Sequence, residues 1–495
     1  MKRQLRPIMF VGTCSDAGKS VINAAFCRIF KQDGYQPAPF KAQNMSLNSY
    51  STPEGGEMGR AQVVQAEACG IAPHTDMNPV LLKPTNDKSS QVVLNGRPVG
   101  NLSAKDYFGA KSRKETLFKE AIEAFHRLEI RYNPIVLEGA GSISELNLRD
   151  RDITNMRMAA AANASTYLVA DIDRGGVFAS VYGSITLLPP EERALIKGVI
   201  INKFRGDASL FDDGRRILKE LTGVPVVGVI PWFTDIKIEE EDSVALETKA
   251  STHVDGKINV AIILLRRLSN FTDFDVLERD PRFNPYYTNR IDEIEKADII
   301  VLPGSKNTLA DLQSLRANGV ATAIVRAFKE GKKVIGICGG YQMMGARLED
   351  PEGLEGNLPA IPGLGLLPQR TVIGEEKVTQ QGDFAFLPAD PDRMDCKGYE
   401  IHMGRTILLG DAIDAPVVRL ADGRTDGYRL NERCWGSYMH GILDNPTVLN
   451  DLAAGFDTTT PVEAFDYAAF KEEQYDRLAD LVRTHVDMEY VYSTL

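Results

Sequence analysis

Short apolar runs recur along the first half of the chain, at residues 8–11, 135–137, 167–170, 199–201 and 226–230. Each has the length of a buried strand, and longer amphipathic segments lie between them. That alternation predicts βαβ units and a parallel sheet. The pattern restarts with runs at 260–265, 299–302 and 334–337, again separated by helical spacing. Between the blocks, residues 235–256 hold Glu239-Glu240-Glu241-Asp242 and lack periodicity, so they read as a linker. From about Pro446 onward the pattern is helical and charged. There is no internal repeat and no low-complexity tract. The expected fold class is therefore α/β, two doubly wound domains with mainly parallel sheets. The expected divisions are 1–235, a linker at 236–256, 257–445, and a helical extension at 446–495.

Composition narrows the function classes. The 495 residues suffice for two or three domains. With 43% hydrophobic and 25% charged residues, each domain can bury a core. A formal net charge of -11 argues against a nucleic-acid binder, which carries a basic face. It does not argue against small anionic ligands, which respond to local charge. Six cysteines are scattered without a CxxC pair, which disfavours a zinc site or a disulfide framework and fits a reducing cytoplasm. The apolar run at 8–11 is too short for a signal-peptide core. No run of about 18 apolar residues exists, so no membrane span is expected. The expected location is cytoplasmic.

The first candidate site is Gly12-Thr13-Cys14-Ser15-Asp16-Ala17-Gly18-Lys19-Ser20, which follows a predicted strand and opens a predicted helix. Glycines allow a tight path in which successive N–H groups face phosphates at a helix N-terminus. Lys19 would meet the β- and γ-phosphates, and the Ser20 hydroxyl could ligate Mg²⁺. Five residues separate Gly12 from Gly18, one more than the usual phosphate-loop pattern. Lys41, after a second strand, could reach the transferring phosphate. Glu138 ends a strand where open α/β sheets present residues to ligands, and its carboxylate could hold Mg²⁺. Asp171 and Asp173 end another strand and are alternatives. Asn202, in Asn202-Lys203, is a candidate for adenine contact.

The second candidate site is Gly336-Ile337-Cys338-Gly339-Gly340-Tyr341-Gln342, a strand, a sharp turn and a helix start. A cysteine on such an elbow is exposed to substrate, and the N–H of Gly339 can face an oxyanion. His440, about a hundred residues downstream, is the candidate base, because such pairs meet in the fold rather than in sequence. His402 is the competing base. Gly304, in Pro303-Gly304-Ser305 after a strand, would complete the oxyanion hole.

These motifs carry a resemblance. The cysteine segment with a distant histidine resembles a class I glutamine amidotransferase domain, and the spacing of the phosphate loop resembles that of dethiobiotin synthetase. Their combination in one chain is similar to the cobyric acid synthases of cobalamin biosynthesis. Three segments strengthen the likeness: Lys41-Ala42-Gln43-Asn44-Met45-Ser46-Leu47-Asn48-Ser49, Asn78-Pro79-Val80-Leu81-Leu82-Lys83-Pro84 and Ser269-Asn270-Phe271-Thr272-Asp273-Phe274-Asp275. The resemblance implies amidation of the b, d, e and g propionates of adenosylcobyrinic acid a,c-diamide, a corrinoid substrate, with ATP, Mg²⁺ and glutamine as nitrogen donor. It implies Cys338 as nucleophile and His440 as general base and acid. Gly12, Thr13, Gly18, Lys19, Ser20, Lys41 and Asn202 would serve ATP, with Ser20 and Glu138 at the metal. The neighbouring alternatives are a cobyrinic acid a,c-diamide synthase, or a P-loop ATPase switch that moves a partner and leaves Cys338 unexplained. Many class I members carry a glutamate two residues after the histidine, and here Ile442 stands in that place. A Cys338–His440 dyad is therefore expected. Arg149, Arg151, Arg266 and Arg267 could meet substrate carboxylates, or be solvated surface groups.

Overall fold

A computed structural model of the chain describes residues 3–86, 89–103, 111–239, 253–457 and 465–495. The first apolar run becomes the strand Ile8–Gly12, buried along its whole length. It lies between Ile135–Glu138 and Ser165–Asp171 in a six-stranded sheet. Ala38–Phe40 flanks the former, while Ile196–Phe204 and then Val226–Pro231 flank the latter. All these pairings are parallel. The strand period of two sorts the side chains: Met9, Val11, Leu137 and Leu168 enter one core, and Ile8, Phe10, Val136 and Tyr167 enter another on the opposite face. Two covered faces explain why each strand reads as an unbroken apolar run. The chain goes from the first strand to one edge of the sheet, returns, and continues on the other side. That reversal opens a crevice at the carboxyl ends of the strands, where the phosphate loop lies.

A second six-stranded sheet has Ile299–Leu302 and Lys333–Ile337 at its centre. Ile258–Ile263 and Phe283–Thr288 lie to one side, Cys434–Ser437 and Tyr428–Asn431 to the other. Only the Tyr428–Asn431 edge is antiparallel. The observed class is thus α/β with mainly parallel sheets.

Two further pieces of β structure correspond to no apolar run. In the C-terminal domain, Gln369–Phe386 and Cys396–Leu408 form a long antiparallel ribbon with a register shift between Val372 and Lys377. In the N-terminal domain, Gln43–Met45, Val80–Asn86, Ser89–Leu94 and Arg97–Ser103 form a four-stranded sheet. Ribbon and N-terminal domain meet: Lys377 pairs with Glu57, and Gln381 Nε2 donates to Ser51 O at 3.2 Å.

The helix Tyr467–His485 returns to the N-terminal domain. Its Tyr475, Leu478 and Val482 join the core around Lys19–Gln32. Arg28 on that helix pairs with Glu472 and Asp476 at 2.9 and 2.7 Å. Glu239, within the stretch read as a linker, has a side chain only 4% exposed and pairs with Arg60 at 2.6 Å. Residues 240–252 of that stretch lie outside the described residues. No described helix is long and apolar enough to cross a membrane.

Candidate active site

At the phosphate loop the backbone turns through Gly18, φ 95°, into the helix Lys19–Gln32. A Cβ on Gly18 would lie 2.1 Å from Asn202 Nδ2, and one on Gly12 would lie 2.8 Å from Lys19 Nζ. Gly18 is therefore required by its left-handed turn as well as by close approach, whereas Gly12 makes room for the Lys19 side chain. Lys19 Nζ donates to Cys14 O and Gly141 O at 3.0 and 3.1 Å, so its ammonium is held over the loop. Thr13 N is tied to Val169 O at 3.1 Å. Asn202 Nδ2 donates to Ala17 O at 2.9 Å, so its amide nitrogen buttresses the loop.

Glu138 gathers the neighbouring groups. Its Oε1 accepts from Ser20 Oγ at 2.8 Å and Lys41 Nζ at 2.9 Å, and its Oε2 accepts from Gln65 Nε2 at 2.6 Å. Burial opposes ionisation here, yet Lys41, with Gln65 and Ser20, holds the carboxyl below the ordinary range. Asp171 pairs with Lys203 at 2.9 Å, and Asp173 with Arg205, so both lie off this cluster. Arg149 pairs with Glu192 at 2.8 Å. Arg149 and Arg151 line a cavity of about 790 Å³ beside Gly141, where Lys114 and Arg157 add to them but are outnumbered by Glu115, Glu145, Asp150, Asp152, Glu191 and Glu192. That wall is not a cationic patch. Arg266 is exposed.

The cysteine elbow follows Lys333–Ile337. Cys338 has φ 51° and ψ -110°, left-handed backbone unusual for a non-glycine residue. The glycines around it permit the turn. A Cβ on Gly340 would sit 1.9 Å from Leu302 O, and one on Gly339 would sit 2.8 Å from Ser305 N. The Gly304-Ser305 segment, paired antiparallel with Leu268-Ser269, thus lies directly against Gly339. Cys338 N donates to Ser437 O at 2.8 Å, which ties the elbow to the neighbouring strand. After Ser437 the chain turns through Tyr438 and brings His440 against the Cys338 sulfur, which donates to Ile401 O at 3.6 Å. His402 lines the same cavity but stacks on Tyr438 at 3.7 Å, with Nδ1 on Gly404 O at 3.3 Å.

The expected dyad is overturned. His440 Nδ1 lies 2.7 Å from Asp273 Oδ2, and Asp273 Oδ1 accepts from Gly441 N at 3.0 Å. An ionised carboxylate only accepts, so Nδ1 carries the proton and Nε2 faces the sulfur. Burial disfavours an imidazolium, but Asp273 and the Cys338 sulfur outweigh it and raise His440 to about 10. The third group comes from the loop of Ser269–Asp275 rather than from position 442, where Ile442 is buried in the core. Sequence distance hid it. The only signal was the presence of Asp273 inside a segment already singled out.

That loop is fixed by the N-terminal domain. Asn270, φ 53°, donates from Nδ2 to Ser49 O at 3.0 Å and accepts at Oδ1 from Ser49 N at 3.1 Å. Phe271 N donates to Asn48 Oδ1 at 3.0 Å. Tyr399 stacks on His440 at 5.3 Å and donates to Ser49 O at 3.3 Å. A carboxylate-oriented imidazole beside a thiol on an elbow can take and return a proton during acyl transfer. In the same chain, a phosphate loop meets an anionic oxygen cluster. The two arrangements together are suited to activating a carboxylate and delivering nitrogen to it.

Known proteins agree with this pairing. Residues 8–245 match the family described as the CobQ/CobB/MinD/ParA nucleotide binding domain, and residues 259–448 match the CobB/CobQ-like glutamine amidotransferase domain. The chain is 83% identical over 495 residues to the cobyric acid synthase of Parabacteroides distasonis, covering 100% of each. It is 62% identical to that of Bacteroides fragilis, covering 100% of this chain and 99% of the relative. It is 49% identical to that of Syntrophobacter fumaroxidans, covering 98% of each.

Proposed function

The chain belongs to the cobyric acid synthase family, and on that premise we propose that it amidates the b, d, e and g propionates of adenosylcobyrinic acid a,c-diamide. It is an ATP- and glutamine-dependent amide-forming enzyme of cobalamin biosynthesis. The observation that carries the residue assignment is the Asp273–His440–Cys338 constellation across one interface from Lys19, Lys41 and Glu138. Cys338 attacks the glutamine amide to form a glutamyl thioester. His440 passes a proton to the leaving ammonia, and the N–H groups of Gly304 and Gly339 face the oxyanion. Water then hydrolyses the thioester to glutamate, with His440 as base.

At the other site a propionate oxygen attacks the γ-phosphorus of ATP, giving an acyl phosphate and ADP. Ammonia adds to the acyl carbon and phosphate leaves, so each turn exchanges one hydroxyl for one amino group. Lys19 and Lys41 offset charge on the phosphoryl group in transfer. The Ser20 hydroxyl and the Glu138 carboxylate are hard oxygen donors that fit Mg²⁺, which takes one or two protein oxygens and relies on phosphates for the rest. When bound, the ion would supply further neutralisation of the phosphates. The reaction belongs in the cytoplasm.

The test is product mass after incubation with the a,c-diamide, glutamine and MgATP. Stepwise hydroxyl-to-amine exchanges ending at the fully amidated acid support the reading. An a,c-diamide returned unchanged, with the a and c positions amidated instead when the unamidated acid is supplied, would overturn it.

A further inference from the structure

The cavity over Cys338 and His440 has a volume of about 320 Å³ and is walled by both domains. Its floor is the cysteine elbow. Its rim carries Lys306 and Glu355 from the amidotransferase side and Lys83 from the N-terminal domain. Glu355 is held at the start of the helix Thr308–Ala317, where Oε2 accepts from Leu309 N at 3.2 Å and Oε1 from Thr308 Oγ1 at 3.4 Å. Thr308 Oγ1 also lies 3.2 Å from Gln342 Oε1, on the helix behind Cys338, so Glu355 is fixed relative to the nucleophile. Lys306 follows Ser305, the residue against Gly339, and makes no salt bridge among the described residues.

Charge in this cavity is nearly balanced but locally unsatisfied. Lys83 and Lys377 both lean on the buried Glu57. Lys306 is left beside them, and burial, then Lys83 and Lys377, pull its amine down to about 8. Burial pushes the Glu355 carboxyl up to about 7, against the Leu309 N–H and Lys306. Glu355 and Lys306 feel each other's charge across the cavity but close no salt bridge with one another among the described residues. A zwitterion would supply both at once, its cation to the carboxyl and its anion to the amine. With an amide carbon at the Cys338 sulfur, the Cα of glutamine is three bonds away and stays inside the same cavity.

We propose that Glu355 and Lys306 are the receptor for the α-amino-acid head group of the nitrogen donor, Glu355 binding the α-ammonium and Lys306 the α-carboxylate. This rests on the amidotransferase reading and adds which residues select glutamine over a simple amide. The N-terminal domain completes the pocket through Lys83, so the donor site is composite.

The test pairs variants with truncated donors. Glutamate or ammonia release is measured on glutamine, on glutaramate (no α-ammonium) and on 4-aminobutyramide (no α-carboxylate). Glu355→Gln keeps an acceptor for Leu309 N, and Lys306→Met keeps the side-chain stem. Glu355→Gln should raise KM for glutamine roughly ten- to a hundred-fold, the loss expected for a charge-assisted hydrogen bond. It should change little on glutaramate. Lys306→Met should weaken glutamine and glutaramate alike and spare 4-aminobutyramide. Ammonia-dependent synthesis serves as the folding control. Equal losses on glutamine and on the donor lacking the partner group would overturn the assignment, as would an unchanged KM for glutamine. A wild type that hydrolyses no glutamine at all would instead overturn the amidotransferase reading beneath it, a distinguishable result.

Discussion

Asp273→Ala removes the carboxylate that both aims and charges His440. The His440 imidazole is buried, and burial alone would lower it from 6.5, yet it stands at about 10. At about 1.4 kcal/mol per unit, a rise of this size is on the order of 4–5 kcal/mol in favour of the imidazolium, shared between Asp273 and the Cys338 sulfur. Without Asp273 the ring loses the larger of those partners and its Nδ1 anchor, so neutral tautomers and ring orientations mix. Glutaminase turnover should fall roughly 10²–10⁴-fold, the usual contribution of a positioned acid–base group. Asp273→Asn should do no better despite its shape, because an amide NH₂ facing Nδ1 selects the tautomer that puts the proton on the wrong nitrogen. The assay is glutamate release at saturating glutamine, with ammonia-driven amide formation as control. Stability gives a second readout. A histidine whose folded value is raised contributes stability that is full below 6.5 and disappears as pH climbs through about 10. The stability gap between wild type and Asp273→Ala should therefore be widest below 6.5 and close toward pH 10. Asp273→Ala with glutaminase within a few-fold of wild type would refute the triad.

Lys19→Ala should abolish synthesis with glutamine or ammonia alike, because charge on the phosphoryl group must be offset whatever the donor; retained synthesis at saturating ATP would refute the loop assignment. Cys338→Ala should lose glutamine-dependent synthesis and keep it with high ammonia, and undiminished glutamine use would sink the nucleophile. Gly340→Ala drives a Cβ to 1.9 Å from Leu302 O and should lower the melting temperature and the glutaminase rate together, a strain of about 1–3 kcal/mol or more. An unchanged melting curve would show that the elbow relaxes. Asn270→Ala strips Ser49 N of its side-chain acceptor and leaves Ser49 O with the Tyr399 hydroxyl, and should depress glutamine-dependent synthesis more than ammonia-dependent synthesis, so an unchanged ratio of the two would refute transmission through this contact.

The parallel sheets were legible because both faces of each strand are covered, which leaves runs such as Ile299–Leu302 uniformly apolar. The ribbon from Gln369 was not, since its middle, Gly374-Glu375-Glu376-Lys377-Val378-Thr379-Gln380-Gln381-Gly382-Asp383, is almost wholly polar and partly covered or exposed throughout, with no hydrophobic period. The strand Gln43–Met45 was hidden for a related reason, being a polar stretch whose residues bond across the domain rather than pack. Cys338 and Lys19 were legible because their chemistry needs a local turn, and local turns leave glycines in sequence. Asp273 needs no turn of its own. It reaches His440 from 167 positions away, and only the folded chain brings the two together.

The composite interface changes what separability of the two reactions means. Chemically they share only ammonia. Structurally they share the segment from Lys41 to Ser49. At one end Lys41 bonds Glu138 at 2.9 Å, beside the phosphate loop. At the other, both backbone groups of Ser49 are taken by Asn270, while Asn48 holds Phe271 N. Asp273 follows two residues later in the short helix Phe271–Phe274, with few soft torsions between. A shift of the Lys41–Ser49 segment when the phosphate site fills would therefore reach the carboxylate that orients His440. Ser49 Oγ also accepts from Lys83 at 2.8 Å, and Lys83 pairs with Glu57 at 2.6 Å, so the wall of the donor pocket is anchored to the same element. The glutaminase site in this chain is thus braced by the synthase side even though its nucleophile and base both lie in the other domain. That is why Cys338→Ala, which leaves these contacts alone, is the substitution that can separate the two reactions cleanly, whereas substitutions at Asn48 or Asn270 cannot.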